Sequence, residues 1–241
     1  DIFGQSADID SLIEIAKKYN LKIISDTSQA PGAFYKDKYA GTLTDIGCFS
    51  LNYHKHIHTG EGGVLVTNSD ELCERMQLIR NHAEAVVENK GYNNLSNMIG
   101  YNFRLGEIEA AIGIEQLKKL SSIVESKQKI AEQLSKGLSN LDGLSVPKVE
   151  QYSTHSYYVY PLIIDSNKLG VKSKIICEAL KAEGIEGLSS KYVNLHMLPM
   201  FQKKIAYGSK GFPWVSEFSS NSVKYDYGIC PVAEGMQDDK Y

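Results

Sequence analysis

Three short apolar runs in the first seventy residues each lack the alternation of a half-buried strand, and each lies beside a helical or glycine-rich segment. The helical period comes first: Ile9, Leu12, Ile13 and Ala16 fall on one face behind Asp8, an expected N-cap, and Asn20 supplies a stop. Leu21 to Ser25 follows and ends at Asp26, and Ile46 to Asn52 and Val64 to Thr67 repeat the pattern. Runs of this kind suit strands covered on both faces, so the expectation is a parallel α/β sheet.

Further along, Asp70 is expected to cap a helix with Leu72, Met76 and Ile79 on one face, ending near Arg80-Asn-His82. The polar stretch from Glu84 to Asn97 reads as an exposed loop. From Gly106 to Leu141 the apolar spacing predicts one or two long helices, after which Gly143 and Pro147 mark a boundary. Tyr157 to Ile164 reads as a strand and Ser173 to Glu183 as a helix, giving a second, smaller α/β unit wrapped by loops from Tyr192 onward. The expected division is 1–125 for the larger domain and 126–241 for the smaller.

Composition narrows the function classes. With 42% hydrophobic and 23% charged residues the 241-residue chain can bury a sizeable core. A net charge of -3 gives no electrostatic argument for nucleic acid or an anionic membrane. Four scattered cysteines without a C-x-x-C pair fit reduced thiols. No apolar run approaches the roughly 18 residues of a membrane helix, and no signal peptide opens the chain, so a soluble, cytoplasmic protein with a small-molecule substrate is expected. The start at Asp1 and the end at Gln237-Asp-Asp-Lys-Tyr241 read as those of an internal fragment.

The chemistry-bearing residues cluster at the strand ends. Asp26 closes a strand where open α/β sheets bind ligands, although an aspartate there is also a common turn or cap residue. Gln29 shares that ambiguity. Lys55 follows Ser50 by five residues in Cys48-Phe-Ser-Leu-Asn-Tyr-His-Lys-His-Ile-His-Thr-Gly-Glu-Gly63. An imine-forming amine, a carboxylate to hold a protonated ring nitrogen and a hydroxyl near a glycine turn to hold a phosphate are what pyridoxal phosphate requires. A competing reading makes His54, His56 and His58, on one face of an extended segment, the ligands of a metal-dependent hydrolase. Asn102 and Arg104, in Gly100-Tyr-Asn-Phe-Arg-Leu105, either bind a phosphate or cap the helix that follows.

In these motifs the chain resembles the DegT/DnrJ/EryC1/StrS family of pyridoxal-phosphate sugar aminotransferases: Asp26-x-x-Gln29, Ser50-x-x-x-x-Lys55 with Gly60-Glu-Gly-Gly63, Arg80-Asn-His82 and Gly100-Tyr-Asn-x-Arg-Leu105. Phe3-Gly-Gln-x-Ala-Asp8 and Leu195-His-x-Leu-Pro199 look like the family too. The resemblance implies an aspartate-aminotransferase-type fold (fold type I), with a three-layer α/β/α large domain, here truncated at its N-terminus, and a small α/β domain. It implies a homodimer with shared active sites.

By the same resemblance Asp26 would pair with the pyridinium nitrogen, Gln29 with the phenolic oxygen and Ser50 with the phosphate. Lys55 would form the internal aldimine. Asn102 and Arg104 would reach the neighbouring subunit's cofactor, and His196 would lie near the substrate. The implied reaction is ping-pong transfer of an amino group from L-glutamate to a nucleotide-linked keto sugar, in polysaccharide biosynthesis. One branch of the family carries histidine at the aldimine position and dehydrates its sugar, so Lys55 favours transamination. Leu51-Asn-Tyr-His54 departs from the family's aromatic-rich stretch, and the upstream segment that carries a phosphate-binding turn is absent. A catalytically silent fragment of the family is the remaining alternative.

Overall fold

The computed structural model describes residues 1–84, 98–190, 192–219 and 223–237. Two compact units arise, one from Asp1–Gly137 with Pro147–Pro161, the other from Leu138–Val146 with Leu162–Tyr241.

In the first unit, α1 (Ile9–Tyr19) starts where the Asp8 carboxylate accepts the Ser11 N–H and hydroxyl. It stops at Asn20, which adopts the left-handed conformation that asparagine tolerates. Ile9 and Ala16 are buried, whereas Leu12 stays exposed. β1 (Ile24–Asp26) then runs parallel to β4 (Ile46–Ser50), with Asp26 level with Cys48. Between them β2 (Phe34–Tyr35) and β3 (Lys38–Tyr39) form a small hairpin, its turn made by Lys36 and Asp37 at positive φ.

The sheet differs from the parallel one expected. β5 (Gly63–Val66) pairs antiparallel to β4, Ser50 opposite Gly63, because the loop of residues 51–62 holds no crossover helix and can only turn the chain back. β1 is not covered on both faces either: Ser25 is buried while its neighbour Ile24 is 64% exposed.

α2 (Asp70–Arg80) is capped by Ser69 instead of Asp70, the Ser69 hydroxyl accepting the Leu72 N–H at 3.3 Å. Asp70 lies in the first turn, where its charge meets the positive end of the helix. Ser69→Ala is therefore expected to cost about 1 kcal/mol, measured by chemical denaturation; unchanged stability would show the cap to be idle. The long helical stretch divides into α3 (Glu107–Leu117) and α4 (Leu120–Leu138). The expected domain boundary after residue 125 falls inside α4, which the first unit keeps as far as Gly137.

Residues 147–161 return to that unit. Thr154 pairs with Phe34 through both its N–H and its hydroxyl, and the Ser156 N–H donates to the Gly4 carbonyl at 2.7 Å. The strand expected over 157–164 shrinks to Ile163–Ile164, the chain having φ 52° at Tyr157 and bending again at Tyr158 and Val159. Ala30, Ala33 and Ala40 pack at the centre of the first unit.

The second unit pairs β6 (Leu144–Ser145) with β7 (Ile163–Ile164) and adds α5 (Ser166–Leu169) and α6 (Ser173–Ala182). The segment read as loops contains α7 (Pro199–Lys203) and α8 (Pro231–Gln237). Among the described residues no helix is long and apolar enough to cross a membrane.

Candidate active site

β1 and β4 end at one sheet edge, which puts their last residues side by side. With Asp26 level with Cys48, Ser50 lies two residues farther along the neighbouring strand, roughly 6.6 Å on. The Asp26 carboxylate accepts the Ser28 N–H at 3.1 Å, so the turn reading of this residue holds, and its side chain stays exposed for a further contact. Hydrogen bonding from Ser28 holds its pKa below the ordinary carboxylate value; partial burial opposes this and the nearby Lys55 charge assists it. Asp26 is ionised at neutral pH.

The loop of residues 51–62 is folded back on itself. Leu51 N–H donates to the Gly62 carbonyl at 2.8 Å, Thr59 N–H to the Leu51 carbonyl at 3.0 Å, and Asn52 reaches Glu61 at 2.5 Å. Gly62 has to be glycine, since a Cβ there would come within 2.7 Å of the Thr59 hydroxyl. The Ser50 hydroxyl accepts the Asn52 N–H at 3.2 Å where the loop begins.

Lys55 sits in a turn of this loop, its N–H donating to the Asn52 carbonyl at 2.9 Å. Its Nζ lies 4.5 Å from the centre of the Tyr158 ring. Burial lowers the amine's pKa below the usual lysine value, and Asp26 partly offsets this. A lowered pKa leaves more of the amine neutral, as a nucleophilic lysine needs. Gln29, three residues after Asp26, accepts the Phe3 N–H through Oε1 at 2.7 Å.

The three histidines do not form a metal site. The segment turns instead of extending, and no group of metal-ligating side chains is found among the described residues. His56 is buried, its Nε2 2.8 Å from the Ser156 carbonyl. Only an N–H can donate to a carbonyl, so Nε2 carries the proton and Nδ1 is left without a partner. Burial depresses the His56 pKa and keeps the ring neutral. His54 packs near Tyr53 and Tyr158, and His58 accepts the Gly60 N–H.

Two motifs far apart in sequence meet. Phe103 N–H donates to the Arg80 carbonyl at 2.9 Å, Tyr101 N–H to Ile79, and His82 N–H to Tyr101. Asn102 lies opposite Asn81, and the Arg104 guanidinium donates to the Asn81 side chain at 2.7 Å. Neither Asn102 nor Arg104 caps α3, whose N-cap, Gly106, has no side-chain bond. The expected exposed loop at Glu84 to Asn97 lies, from residue 85, outside the described residues.

His196 belongs to the second unit. Its Nε2 is 2.8 Å from Glu234, a carboxylate 2% exposed that also accepts the Gly228 N–H at 2.7 Å and the Cys230 N–H at 3.2 Å. Burial works against the Glu234 charge, but these three donors outweigh it and lower its pKa. Sequence reasoning missed both Glu234 and Tyr158. Tyr158 stands in an aromatic run without periodicity, and Glu234 has no sequence neighbour that announces its partner.

Comparison with known proteins identifies the family and the fold. A model of the DegT/DnrJ/EryC1/StrS aminotransferase family matches residues 1–239. The chain is 35% identical over 164 residues to a Campylobacter jejuni UDP-4-amino-4,6-dideoxy-N-acetyl-beta-L-altrosamine transaminase, covering 68% of this chain and 43% of that one. It is 30% identical over 239 residues to the GDP-perosamine synthase of Vibrio cholerae, covering 99% and 61%. Among solved structures, S. venezuelae DesV superposes with a TM-score of 0.78 at 25% identity, covering 98% of this chain and 56% of that one. The chain thus spans about half the length of the relatives it matches, and over that span it has their fold type I architecture. Because the match takes in both compact units as well as the strand-end motifs, the chain belongs to the DegT/DnrJ/EryC1/StrS aminotransferase family.

Proposed function

We propose that the protein transfers an amino group from L-glutamate to a nucleotide-linked keto sugar with pyridoxal 5′-phosphate as cofactor, working in the cytoplasm as a homodimer. The observation that carries the reading is the placing of ionised Asp26, at the end of β1, near Lys55, an amine of lowered pKa in the loop that leaves β4. The donor set suits this cofactor: a carboxylate for a ring nitrogen, an amine for an aldehyde, and the Ser50 hydroxyl for a phosphate. The relatives, a UDP-sugar transaminase and a GDP-perosamine synthase, support the substrate class.

When bound, pyridoxal phosphate supplies an aldehyde that condenses with amines and a ring that takes up carbanion charge. Asp26, ionised, would hold the ring nitrogen and favour its protonated form. Lys55 would hold the cofactor through its amine, and its Nζ, when free, would carry a proton. Ser50 would hold the phosphate and Gln29 the phenolic oxygen. In a homodimer Asn102 and Arg104 would serve the site of the second copy, and His196 would bind the sugar nucleotide. The four cysteines are free thiols, in keeping with a reducing compartment.

The test is a panel of keto sugar nucleotides offered to the full chain with cofactor and glutamate, products being read by mass spectrometry. Conversion of at least one member to an amino sugar is expected. No amino sugar from any member, together with no visible absorption from retained cofactor, overturns the reading.

A further inference from the structure

Three consecutive carbonyls in the segment that returns to the first unit are each held by a side chain. Gln128 donates to His155 at 3.0 Å, His56 to Ser156 at 2.8 Å, and Lys127 to Tyr157 at 3.2 Å. The Ser156 N–H is tied to Gly4 as well. Donors from α4 and from the Lys55 loop thus fix a rigid ledge, and the next residue on it is Tyr158. Its ring faces the Lys55 ammonium at 4.5 Å, within the range of a cation–π contact, with the His54 and His56 rings 5.9 and 6.3 Å away.

A lysine that alternates between holding a cofactor and carrying a proton needs a defined place for its amine when free. Four rotatable bonds would otherwise let it wander into water. We propose that Tyr158 is a positioning residue for Lys55, its ring holding the free ammonium at the sheet edge, and that His56, through Ser156, keeps the ring in place. Tyr158 attracts the charged form through the face of its ring. The charged group that acts on the amine from the sheet is Asp26, on β1, which favours the same protonated state; the neutral His56 does not compete with it.

This inference rests on Lys55 being the reactive amine, and its test reads the contact itself. In the cofactor-free full chain, the Lys55 amine is titrated by competitive acetylation with mass spectrometry of the peptide that bears it. Two replacements that preserve ring shape are compared, Tyr158→Phe and Tyr158→pentafluorophenylalanine, the second with its ring quadrupole reversed. Tyr158→Phe is expected to keep the midpoint of the unaltered chain, and the fluorinated ring to lower it by about half a unit. Equal midpoints in the two variants overturn the proposal, because a merely structural ring would not sense the quadrupole. Failure of the functional reading shows separately, as transamination that survives loss of Lys55.

Discussion

Lys55→Ala is expected to lower transamination by about four orders of magnitude, the upper end of what a positioned general acid–base contributes, and to abolish covalent retention of the cofactor. The loop does not depend on the amine: its hydrogen bonds run through backbone groups of Leu51, Asn52, Thr59 and Gly62 and the side chains of Asn52 and Glu61. The variant therefore folds, and an unchanged circular dichroism spectrum checks this. Borohydride treatment followed by mass spectrometry should attach the cofactor to Lys55 in the unaltered chain and to no residue in the variant. Activity within tenfold of the unaltered chain would remove Lys55 from the reaction. Because Asp26 is charged and its Ser28 contact is independent of the lysine, non-covalent cofactor binding should persist in the variant.

The second large effect is on stability. His155 is 5% exposed, its ring stacked 4.0 Å from that of Tyr157, and its Nδ1 accepts the Tyr157 N–H at 2.9 Å. Burial, reinforced by the proximity of His56, pushes its pKa from 6.5 down to about 4. Above pH 6.5 the ring is neutral in both the folded and unfolded chain, and its contribution is complete. Between 6.5 and about 4 the unfolded chain takes up a proton that the folded chain refuses, so stability falls as the pH falls. At 1.36 kcal/mol per unit the loss is roughly 3 kcal/mol by pH 4, and His56, lowered by burial too, adds in the same direction.

Denaturation at pH 7 and at pH 4.5, in the unaltered chain and in His155→Gln, isolates the effect from carboxylates that titrate over the same range. The variant should be less stable at pH 7 but lose less between the two values. An identical pH slope in both proteins would show that the ring is protonated in the fold.

Much of the candidate site was legible because its residues lie close together along the chain. Asp26 and Gln29 stand three apart at a strand end, and Ser50 and Lys55 are separated by one turn of a glycine-closed loop. Local rules of strand termination and turn chemistry reach that far. The same rules placed α1 with both of its caps. They failed where a local pattern met a competing partner. Ser69 outbid its neighbour for the cap of α2, and Tyr157 left the extended region to stack on His155. The three histidines at alternate positions suggested a shared face, yet the burial of His56 against Ser156 turned the loop instead.

The sequence by itself determined the identity and spacing of the groups at the sheet edge, because amine, carboxylate and hydroxyl chemistry belongs to residue types and their order. Only the tertiary structure decided the antiparallel return of β5, the meeting of Arg80-Asn81-His82 with Tyr101 to Arg104, and the ledge that sets Tyr158 beneath Lys55. Tyr158 lies far along the chain from Lys55, and no periodicity encodes such a contact. It exists because donors on α4 and in the Lys55 loop each satisfy one of three consecutive carbonyls, the middle one buried, a requirement that arises only where the chain packs out of water.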